Sequence, residues 1–334
     1  MEKTRQHIGI LKHEKIGYAE ELLLEILKTT GAIANIINPC DIVFGDNTEQ
    51  FPDIVLARCE LSSFSDMALS AYLTYFGECL GRGIPVVNSR EFLLRGQDKY
   101  LTHQALHNHM VGIGITDDIN PPTWFVHNKE QAYAIALGEI SNMGSVVLKH
   151  PCSGRGEGVY LVRNEEELVT VLSGFFANAN QPILIQRTIQ KETNEQGGYR
   201  DMRLWVCRDH ETDEPQVVGA FYRNAEPGKF HTNICRGSCV SRMEKVDDRL
   251  AYYAKLVMDA TQGDVAGLDF VKDMDGKYWF EEVNIAFETS PEAVRLVGAE
   301  IWYKVARLLR ARMHFHTANS PIVNFCHKIP IVIH

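Results

Sequence analysis

The sequence predicts an α/β fold that becomes α+β in its later part. Short apolar runs alternate with amphipathic helix patterns at the start of the chain, strands flank a glycine-rich loop in the middle, and strands dominate as far as Asn284. Alternating strands and helices are typical of a parallel sheet wrapped by helices, whereas hairpin-linked strands form antiparallel sheets. A helix over 292–312 closes the pattern.

The N-terminal part has the alternation of a small parallel α/β unit. Apolar runs predict strands over 8–11, 33–37, 53–57 and 84–87. Periodic apolar stripes predict helices over 18–30 and 65–80, the first of them ended by Gly31. A Rossmann dinucleotide site needs a Gly-x-Gly-x-x-Gly turn after the first strand. The residues that follow the first strand contain no such turn, so that type of site is excluded.

Two further units and a tail are predicted to follow. The boundaries are placed to give units over 1–96, 97–182, 183–315 and 316–334. The second unit begins with a helix near Asp98, and it contains strands over 145–149 and 159–162. Asn164 and Glu167 form the capping-box pattern that starts a helix.

Composition excludes several classes of protein. Of the 334 residues, 45% are hydrophobic and 23% are charged, which is the balance of an ordinary globular protein. The net charge of −9 argues against a nucleic-acid partner, which would need a basic surface. There is no signal-peptide pattern and no run of the ~20 apolar residues that a membrane helix needs. The eight scattered cysteines are therefore expected to be reduced thiols in a cytoplasmic protein without a membrane partner.

The glycine-rich loop between the strands of the second unit is a candidate phosphate site. It runs from Lys149 to Gly158, with glycines at alternate positions near its end. Glycines let backbone amides approach a phosphate closely. Because the loop joins two strands, it is not a Walker A loop, which leads from a strand into a helix. A purely structural glycine hairpin accounts for the loop equally well, although Lys149 adds a positive charge beside it.

The acidic hairpin near residue 275 is a candidate magnesium site. Asp275-Gly276 marks a turn between two apolar strands. If the residues flanking that turn pair, Asp269 faces Glu282, and Asn284 lies two residues further along the same face. Such oxygen ligands suit Mg²⁺. Glu281 has the opposite parity and is left out, unless a β-bulge shifts the register.

A set of basic residues lies between the glycine loop and the acidic hairpin. The set consists of Arg203, Arg223, Lys229 and Arg236, together with Asn233. In an acidic protein, cations concentrated near candidate phosphate and metal ligands suggest a triphosphate clamp. Individually, each is better explained as a surface charge.

Two patterns could indicate zinc, and both are weak. Cys235 and Cys239 have no second pair at matching spacing. His103, His107 and His109 lie at helical spacing but lack the remainder of a metalloprotease motif.

The ordered set of motifs resembles the ATP-grasp superfamily, and within it the RimK-like amino-acid ligases. The resemblance covers about residues 50–295. Its motifs are Asp98-Lys99, Lys149 with its glycine loop, Asp201-Met202-Arg203, Arg223, Asn233, Arg236-Gly237, Asp269 and Glu282-Val283-Asn284. No single motif is decisive, but the order in which they occur is specific.

The resemblance implies an ATP-grasp fold, in which two antiparallel sheets enclose ATP, and it implies roles for individual residues. Those that match nucleotide-binding positions are Lys99, Lys149, Ser153, Gly154, Arg155, Gly156, Gly158, Gln186, Arg187, Thr188, Ile189 and Glu192. Those that match catalytic positions are Arg203, Arg223, Asn233 and Arg236, and those that match magnesium ligands are Asp269, Glu282 and Asn284. Two segments depart from the family pattern: Arg187 stands where an acidic residue often occurs, and 284–292 resembles an insertion.

The resemblance also implies a reaction. A carboxylate would attack the γ-phosphorus of ATP to give ADP and an acyl phosphate, and an amine would then displace the phosphate, with two Mg²⁺ (or Mn²⁺) ions assisting. The expected partners are a small-molecule or peptide carboxylate and an amino acid such as glutamate, in a homodimer or homotetramer. The alternative is a non-catalytic ATP-binding regulatory protein that has the ATP-grasp fold and is similar to the synapsins. The complete set of metal ligands favours the enzyme.

Overall fold

The computed structural model describes residues 6–12, 16–45, 51–60, 65–152, 158–177, 182–228, 238–287 and 289–318. Over these ranges the chain forms three sheets, of four, four and five strands. No helix in the described ranges combines the length and the apolar character that crossing a lipid bilayer requires. The six cysteines in these ranges are free thiols.

The first sheet is parallel, as the sequence predicts. Its strands are β1 (His7–Leu11), β2 (Ile33–Ile37), β3 (Ile54–Ala57) and β4 (Val86–Val87), in the order β2-β1-β3-β4. All neighbouring strands run in the same direction. The helices of this unit are α1 (Tyr18–Thr29) and α2 (Asp66–Gly81), both close to their predicted positions. The central strands β1 and β3 are apolar and buried because helices cover both faces of such a sheet.

Two consecutive helices lead from the first sheet to the second. They are α3 (Arg90–Gln97) and α4 (Lys99–Gly112). Asp98 separates them, and its carboxylate caps α4 by accepting hydrogen bonds from the amides of Tyr100 and Leu101, at 2.8 and 3.0 Å. The sequence indicated only the second helix. The cap fixes Lys99 at the first position of α4, where it can reach the candidate site.

The second sheet is antiparallel and carries the glycine-rich loop. Its strands are β5 (Thr123–Val126), β6 (Val146–Lys149), β7 (Val159–Val162) and β8 (Ile183–Arg187), in the order β5-β8-β6-β7. The helices α5 (Lys129–Met143) and α6 (Glu165–Phe176) cover one face. The Asn164 side chain caps α6 by accepting from the amide of Glu167 at 2.9 Å. β8, which the boundary at 182/183 assigns to the third unit, pairs with β5 and β6.

The third sheet is also antiparallel and holds the acidic hairpin. Its strands are β9 (Arg200–Arg208), β10 (Pro215–Asn224), β11 (Cys239–Arg242), β12 (Val265–Lys272) and β13 (Tyr278–Asn284), in the order β11-β10-β9-β12-β13. The helix α7 (Asp248–Thr261) packs on one face. The other face is divided: Trp205 and Phe221 pack in the core that holds the last helix, whereas Arg203 and Asp269 line a polar half.

The closing helix is two helices, which corrects the prediction of one helix over 292–312. The observed elements are α8 (Pro291–Val297) and α9 (Glu300–Ala318). Gly298 separates them with φ of +82°. Glycine adopts this left-handed conformation readily and therefore ends helices. The amide of Gly298 donates to the carbonyl of Val294 at 2.8 Å, which completes the end of α8.

Candidate active site

The candidate site lies between the second and third sheets. Alternate residues of β6 and β8 pack against α5 and α6, so Lys149 and Gln186 point to the opposite face. The charges of Glu281 and Glu282 on β13 affect the pKa of Lys149 on β6. The charged residues of the site therefore come from both sheets.

Lys149 is buried at the end of β6. Its side chain is 4% exposed, and its Nζ donates to Oε1 of Gln186 at 3.0 Å. Gln186 in turn donates from Nε2 to Oγ1 of Thr123 at 2.9 Å. Burial lowers the pKa of Lys149 to about 8, and the neighbouring charge of Lys99 acts in the same direction, although the charge of Glu281 opposes the shift. The protein therefore disfavours the charged form of this lysine relative to water.

Lys99 connects the start of α4 to the acidic hairpin and to the glycine loop. Its Nζ lies 3.4 Å from the Glu282 carboxylate. Its backbone amide donates to the carbonyl of Pro151 at 3.1 Å. The thiol of Cys152 lies 3.7 Å from the carboxylate of Asp98. The first residues of the glycine loop are thus attached to the start of α4.

The acidic hairpin contains a β-bulge at Glu281. Asp269 pairs with Glu282, as predicted, but Phe270 pairs with Phe280, so Glu281 is an extra residue. The turn is also one residue longer than expected, since the backbone amide of Asp273 donates to the carbonyl of Lys277 at 2.9 Å. The longer turn and the bulge each shift the register by one residue in opposite directions. The predicted pair of carboxylates is therefore correct, although the predicted turn is not.

A buried network of two arginines and two aspartates lies beside this hairpin. Arg223 donates to Asp201 at 2.7 and 2.8 Å and to Asp269 at 2.7 Å. Arg203 donates to both oxygens of Asp269, one of them at 2.8 Å. Burial alone would raise the pKa of Asp269, but the two guanidinium groups lower it to about 2. The same carboxylates raise the pKa of Arg223 despite its burial. The network therefore favours the charged forms of Asp269 and Arg223.

The proposed metal ligands fit Mg²⁺ by the chemistry of their donors. Asp269 and Glu282 face each other, and Asn284 lies on the same face, paired with Gly267. The amide oxygen Oδ1 of Asn284 would be its metal donor, and Nδ2 of the same side chain is buried without a hydrogen-bond partner among the described residues. Asp269 still has acceptor capacity, because three bonds to arginine use three of its roughly four lone-pair positions. No three acidic, histidine or cysteine side chains in the described ranges form a ready-made metal site.

The segment after β8 borders a cavity of about 240 Å³. Its lining includes Thr188, Ile189, Lys191, Leu161 and Tyr199. In the part of the chain that the structure describes, the amide and carbonyl groups of Thr188 and Ile189 bond no other backbone group. These groups are therefore available to a ligand in the cavity, as the resemblance implies for a nucleotide base.

Arg187 and Glu192 flank that segment, and their side chains have other partners. Arg187 forms a bidentate ion pair with Glu139 of α5, at 2.8 and 2.9 Å. Burial raises the pKa of Tyr222, and the charge of Glu192 contributes to the increase. Tyr222 packs against the core under α7, on the face opposite to Arg203. The structure thus brings neither side chain into the group formed by Lys149, Glu282 and the buried network.

Gly158 is the one glycine of the predicted loop that the structure describes, and its position requires glycine. Its φ is +65°, and an added Cβ would lie 2.6 Å from the His150 ring. The remaining glycine-loop residues predicted to bind the nucleotide, and the part of the basic set that follows Gly228, lie outside the described residues. These are Ser153, Gly154, Arg155, Gly156, Lys229, Asn233 and Arg236, together with Cys235.

The histidine alternative for zinc is not supported by the positions of its side chains. His103 is buried against Phe280, with Nε2 3.4 Å from the carbonyl of Glu281. His107 is exposed and lies 3.1 Å from Asp118. The two imidazoles thus have separate partners.

Two residues of the site were missed from the sequence. Glu281 was excluded by parity, and Lys191 was not considered. The Nζ of Lys191 lies 3.6 Å from the Glu281 carboxylate. The only signal that could have found Glu281 is the pair of adjacent glutamates next to a turn, where a bulge changes parity.

Comparison with known proteins identifies the family. A model described as the RimK-like ATP-grasp domain matches residues 96–309. A probable alpha-L-glutamate ligase 2 from Hahella chejuensis is 29% identical over 196 residues, which are 58% of this chain and 57% of that protein. A probable alpha-L-glutamate ligase 1 from Shewanella denitrificans is 26% identical over 279 residues, 80% of this chain and 86% of that protein.

Solved structures share the fold at low identity. The RimK domain ATP-grasp protein from Sphaerobacter thermophilus has a TM-score of 0.62 at 17% identity, covering 91% of this chain and 99% of its own. D-alanyl-alanine synthetase A from Vibrio cholerae has a TM-score of 0.68 at 14% identity, covering 93% and 99%. The Hahella and Shewanella relatives are named as glutamate ligases, so the alternative of a non-catalytic regulatory protein is wrong. The chain belongs to the RimK-like ATP-grasp family of carboxylate–amine ligases.

Proposed function

We propose that this ligase joins a carboxylate to the amine of an amino acid, through an acyl phosphate formed from ATP. The observation that carries the proposal is the convergence of Lys149 and Lys99 with Glu282 and the arginine network between two antiparallel sheets. Positive groups that a protein holds buried and preorganised stabilise the charge of a phosphoryl group during its transfer.

The balance of charge in the site supports a nucleotide together with divalent cations. The described cations are Lys99, Lys149, Lys191, Arg203 and Arg223, and the described anions are Asp201, Asp269, Glu281 and Glu282. The protein alone therefore provides little net positive charge for a triphosphate. Divalent cations would supply the missing charge, and two are expected in phosphoryl transfer of this kind.

The nucleotide is proposed to lie along the cleft. The base would occupy the cavity beside Thr188 and Ile189, whose backbone groups can bond its edge. The phosphates would lie near Lys149 and Lys99. Asp269, Glu282 and Asn284 would hold Mg²⁺, which neutralises charge on the phosphate oxygens when it is bound.

The chemistry of the protein is positioning and charge stabilisation. The substrate carboxylate oxygen attacks the γ-phosphorus, and the bond to the β-phosphate oxygen breaks, which gives ADP and an acyl phosphate. Arg203 and Arg223, held by their aspartates, stabilise the negative charge that develops. The amine then attacks the acyl carbon, phosphate leaves, and the amine gives up a proton. The amide bond is thereby formed.

Glutamate is the first amine to test, because relatives are named as alpha-L-glutamate ligases. The carboxylate is proposed to come from a small molecule or a peptide. We place the reaction in the cytoplasm, in agreement with the free thiols of the described cysteines.

The test is release of ADP and phosphate from MgATP across a panel of carboxylates, each with glutamate and other amino acids. Mass spectrometry of each reaction identifies the amide. Glu282→Gln should abolish the pair-dependent release, and Glu166→Gln, a change on the exposed face of α6, should retain it. Release of AMP instead of ADP, or the same release from Glu282→Gln, would refute the proposal.

A further inference from the structure

Glu281 is a charged residue in the cleft to which the proposed reaction assigns no role. The bulge places it beside Glu282, and both carboxylates reach lysines of the cleft: Glu282 lies 3.4 Å from Lys99, and Glu281 lies 3.6 Å from Lys191. A regular strand would have turned one of them to the helix-covered face. The Glu281 side chain is 24% exposed, so a ligand can reach it.

Contacts with neighbouring residues hold this bulge. The amide of Phe280 donates to the carbonyl of Ile119 at 2.8 Å, which fixes the residue before the bulge. The carbonyl of Glu281 accepts from Nε2 of His103 at 3.4 Å, and the imidazole packs edge-on against Phe280. The extra residue is thus built into the fold rather than being an irregularity of an exposed turn.

The location of Glu281 along the cleft indicates which part of a nucleotide it would meet. On one side its carboxylate is 3.6 Å from Lys191, which lines the cavity proposed for the base. On the other side its charge acts on Lys149, proposed for the phosphates. In a nucleotide, the ribose joins the base to the phosphates. Its hydroxyl groups are hydrogen-bond donors, for which a carboxylate is a strong acceptor.

Glu192 is the other acidic residue to consider, since the resemblance assigns it to the nucleotide. Its charge acts on Tyr222 and Tyr278, both of which pack in the core under α7. The charge of Glu281 acts instead on the lysines of the cleft. The contact of Glu281 with Lys191, which lines the proposed base cavity, therefore favours Glu281.

We propose that Glu281 binds the ribose hydroxyl groups of the nucleotide and that the bulge in the acidic hairpin exists to present it. This inference rests on the proposed use of ATP. It assigns to Glu281 a function separate from that of the proposed magnesium ligands next to the bulge. The Nζ of Lys191 lies 3.6 Å from this carboxylate, on the side of the proposed base cavity.

The experiment is a cycle of one substitution and one change in the nucleotide. Calorimetry measures the binding of ATP, 2′-deoxy-ATP and 3′-deoxy-ATP, each with Mg²⁺, to the wild type, Glu281→Gln and Glu192→Gln. Glu166→Gln, on the exposed face of α6, is the matched surface control. Binding needs no second substrate, so the result does not depend on knowing the acid or the amine.

The expected result is non-additive. Glu281→Gln should weaken ATP binding about tenfold, the effect of losing a hydrogen bond to a charged group. At least one deoxy nucleotide should bind the wild type about tenfold more weakly than ATP, with little further loss in Glu281→Gln. Equal loss for all three nucleotides in Glu281→Gln, or non-additivity in Glu192→Gln instead, would overturn the inference. A wild type that binds no MgATP would overturn the proposed function as well.

Discussion

The low pKa of Lys149 makes ATP binding sensitive to alkaline pH. Burial lowers the pKa of this lysine to about 8, below the ordinary value of a lysine. A phosphate favours the protonated form, so the affinity for ATP should follow the protonated fraction of Lys149. That fraction falls about tenfold between pH 7 and pH 9 for a pKa of 8. The dissociation constant for MgATP should therefore rise about tenfold over the same interval.

Calorimetry can measure both the affinity and the accompanying proton uptake. Above pH 8 each bound nucleotide should draw a proton from the buffer onto Lys149, because binding raises the pKa of its amine. Titrations at pH 9 in two buffers of different ionisation enthalpy report the number of protons taken up. Lys149→Arg is the matched variant, since arginine stays charged throughout this range. Its profile should be flat.

Two outcomes would refute this reasoning. A wild-type affinity that is unchanged from pH 7 to pH 9, without proton uptake, would mean that Lys149 is fully charged throughout or does not meet the phosphates. An equal decline in Lys149→Arg would assign the effect to another group. A neutral Lys149 amine can still donate its hydrogen bond to Gln186. We therefore do not expect unfolding at pH 9 to cause the loss of affinity.

Three further results are expected. Asp269→Asn leaves two buried guanidinium groups with one carboxylate, and it should lower the free energy of unfolding by about 3–5 kcal/mol in urea denaturation; a loss below about 1 kcal/mol would contradict this. Gly158→Ala places an alanine at φ of +65°, next to the His150 ring, and it should lower the free energy of unfolding by about 1–3 kcal/mol in the same assay. An unchanged denaturation midpoint would contradict this prediction. Calorimetry should show that Mg²⁺ binds at least about tenfold more tightly in the presence of ADP than in its absence, because Asp269 is otherwise paired with arginines. Equal affinities would contradict this coupling.

Local sequence patterns predicted most strands and helices, because each element carries its own apolar period and its own cap. Asn164 and its capping box, or the stripe of α1, need no distant partner. Elements that depend on contacts with distant parts of the chain were harder to predict from the sequence. Ser89 caps the start of α3, but the apolar pattern of this helix is too short to be recognised in the sequence. β8 pairs with β5 and β6, and only the sheet itself shows which unit holds it.

The candidate site shows the same division. Asp269 and Glu282 could be paired from the sequence because a hairpin fixes its register through its turn. The bulge at Glu281 depends on Ile119 and His103, which come from a different part of the chain, and strand parity cannot reveal it. The partners of Arg187 were likewise hidden, since Glu139 lies on another element.

The arrangement of the charges explains how the chain can hold so many ionised groups between its sheets. An isolated buried charge is unstable, and four of the five described cations of the cleft form an ion pair with a carboxylate: Lys99 with Glu282, Lys191 with Glu281, and the two arginines with their aspartates. Lys149 instead donates to Gln186. The carboxylates proposed for Mg²⁺ are thus the same groups that neutralise the cations proposed for ATP. Binding either ligand alone would leave charges of the protein without a partner, whereas binding both satisfies each set. The pairing of the protein's own charges therefore favours simultaneous occupation by nucleotide and metal, which is the state that phosphoryl transfer requires.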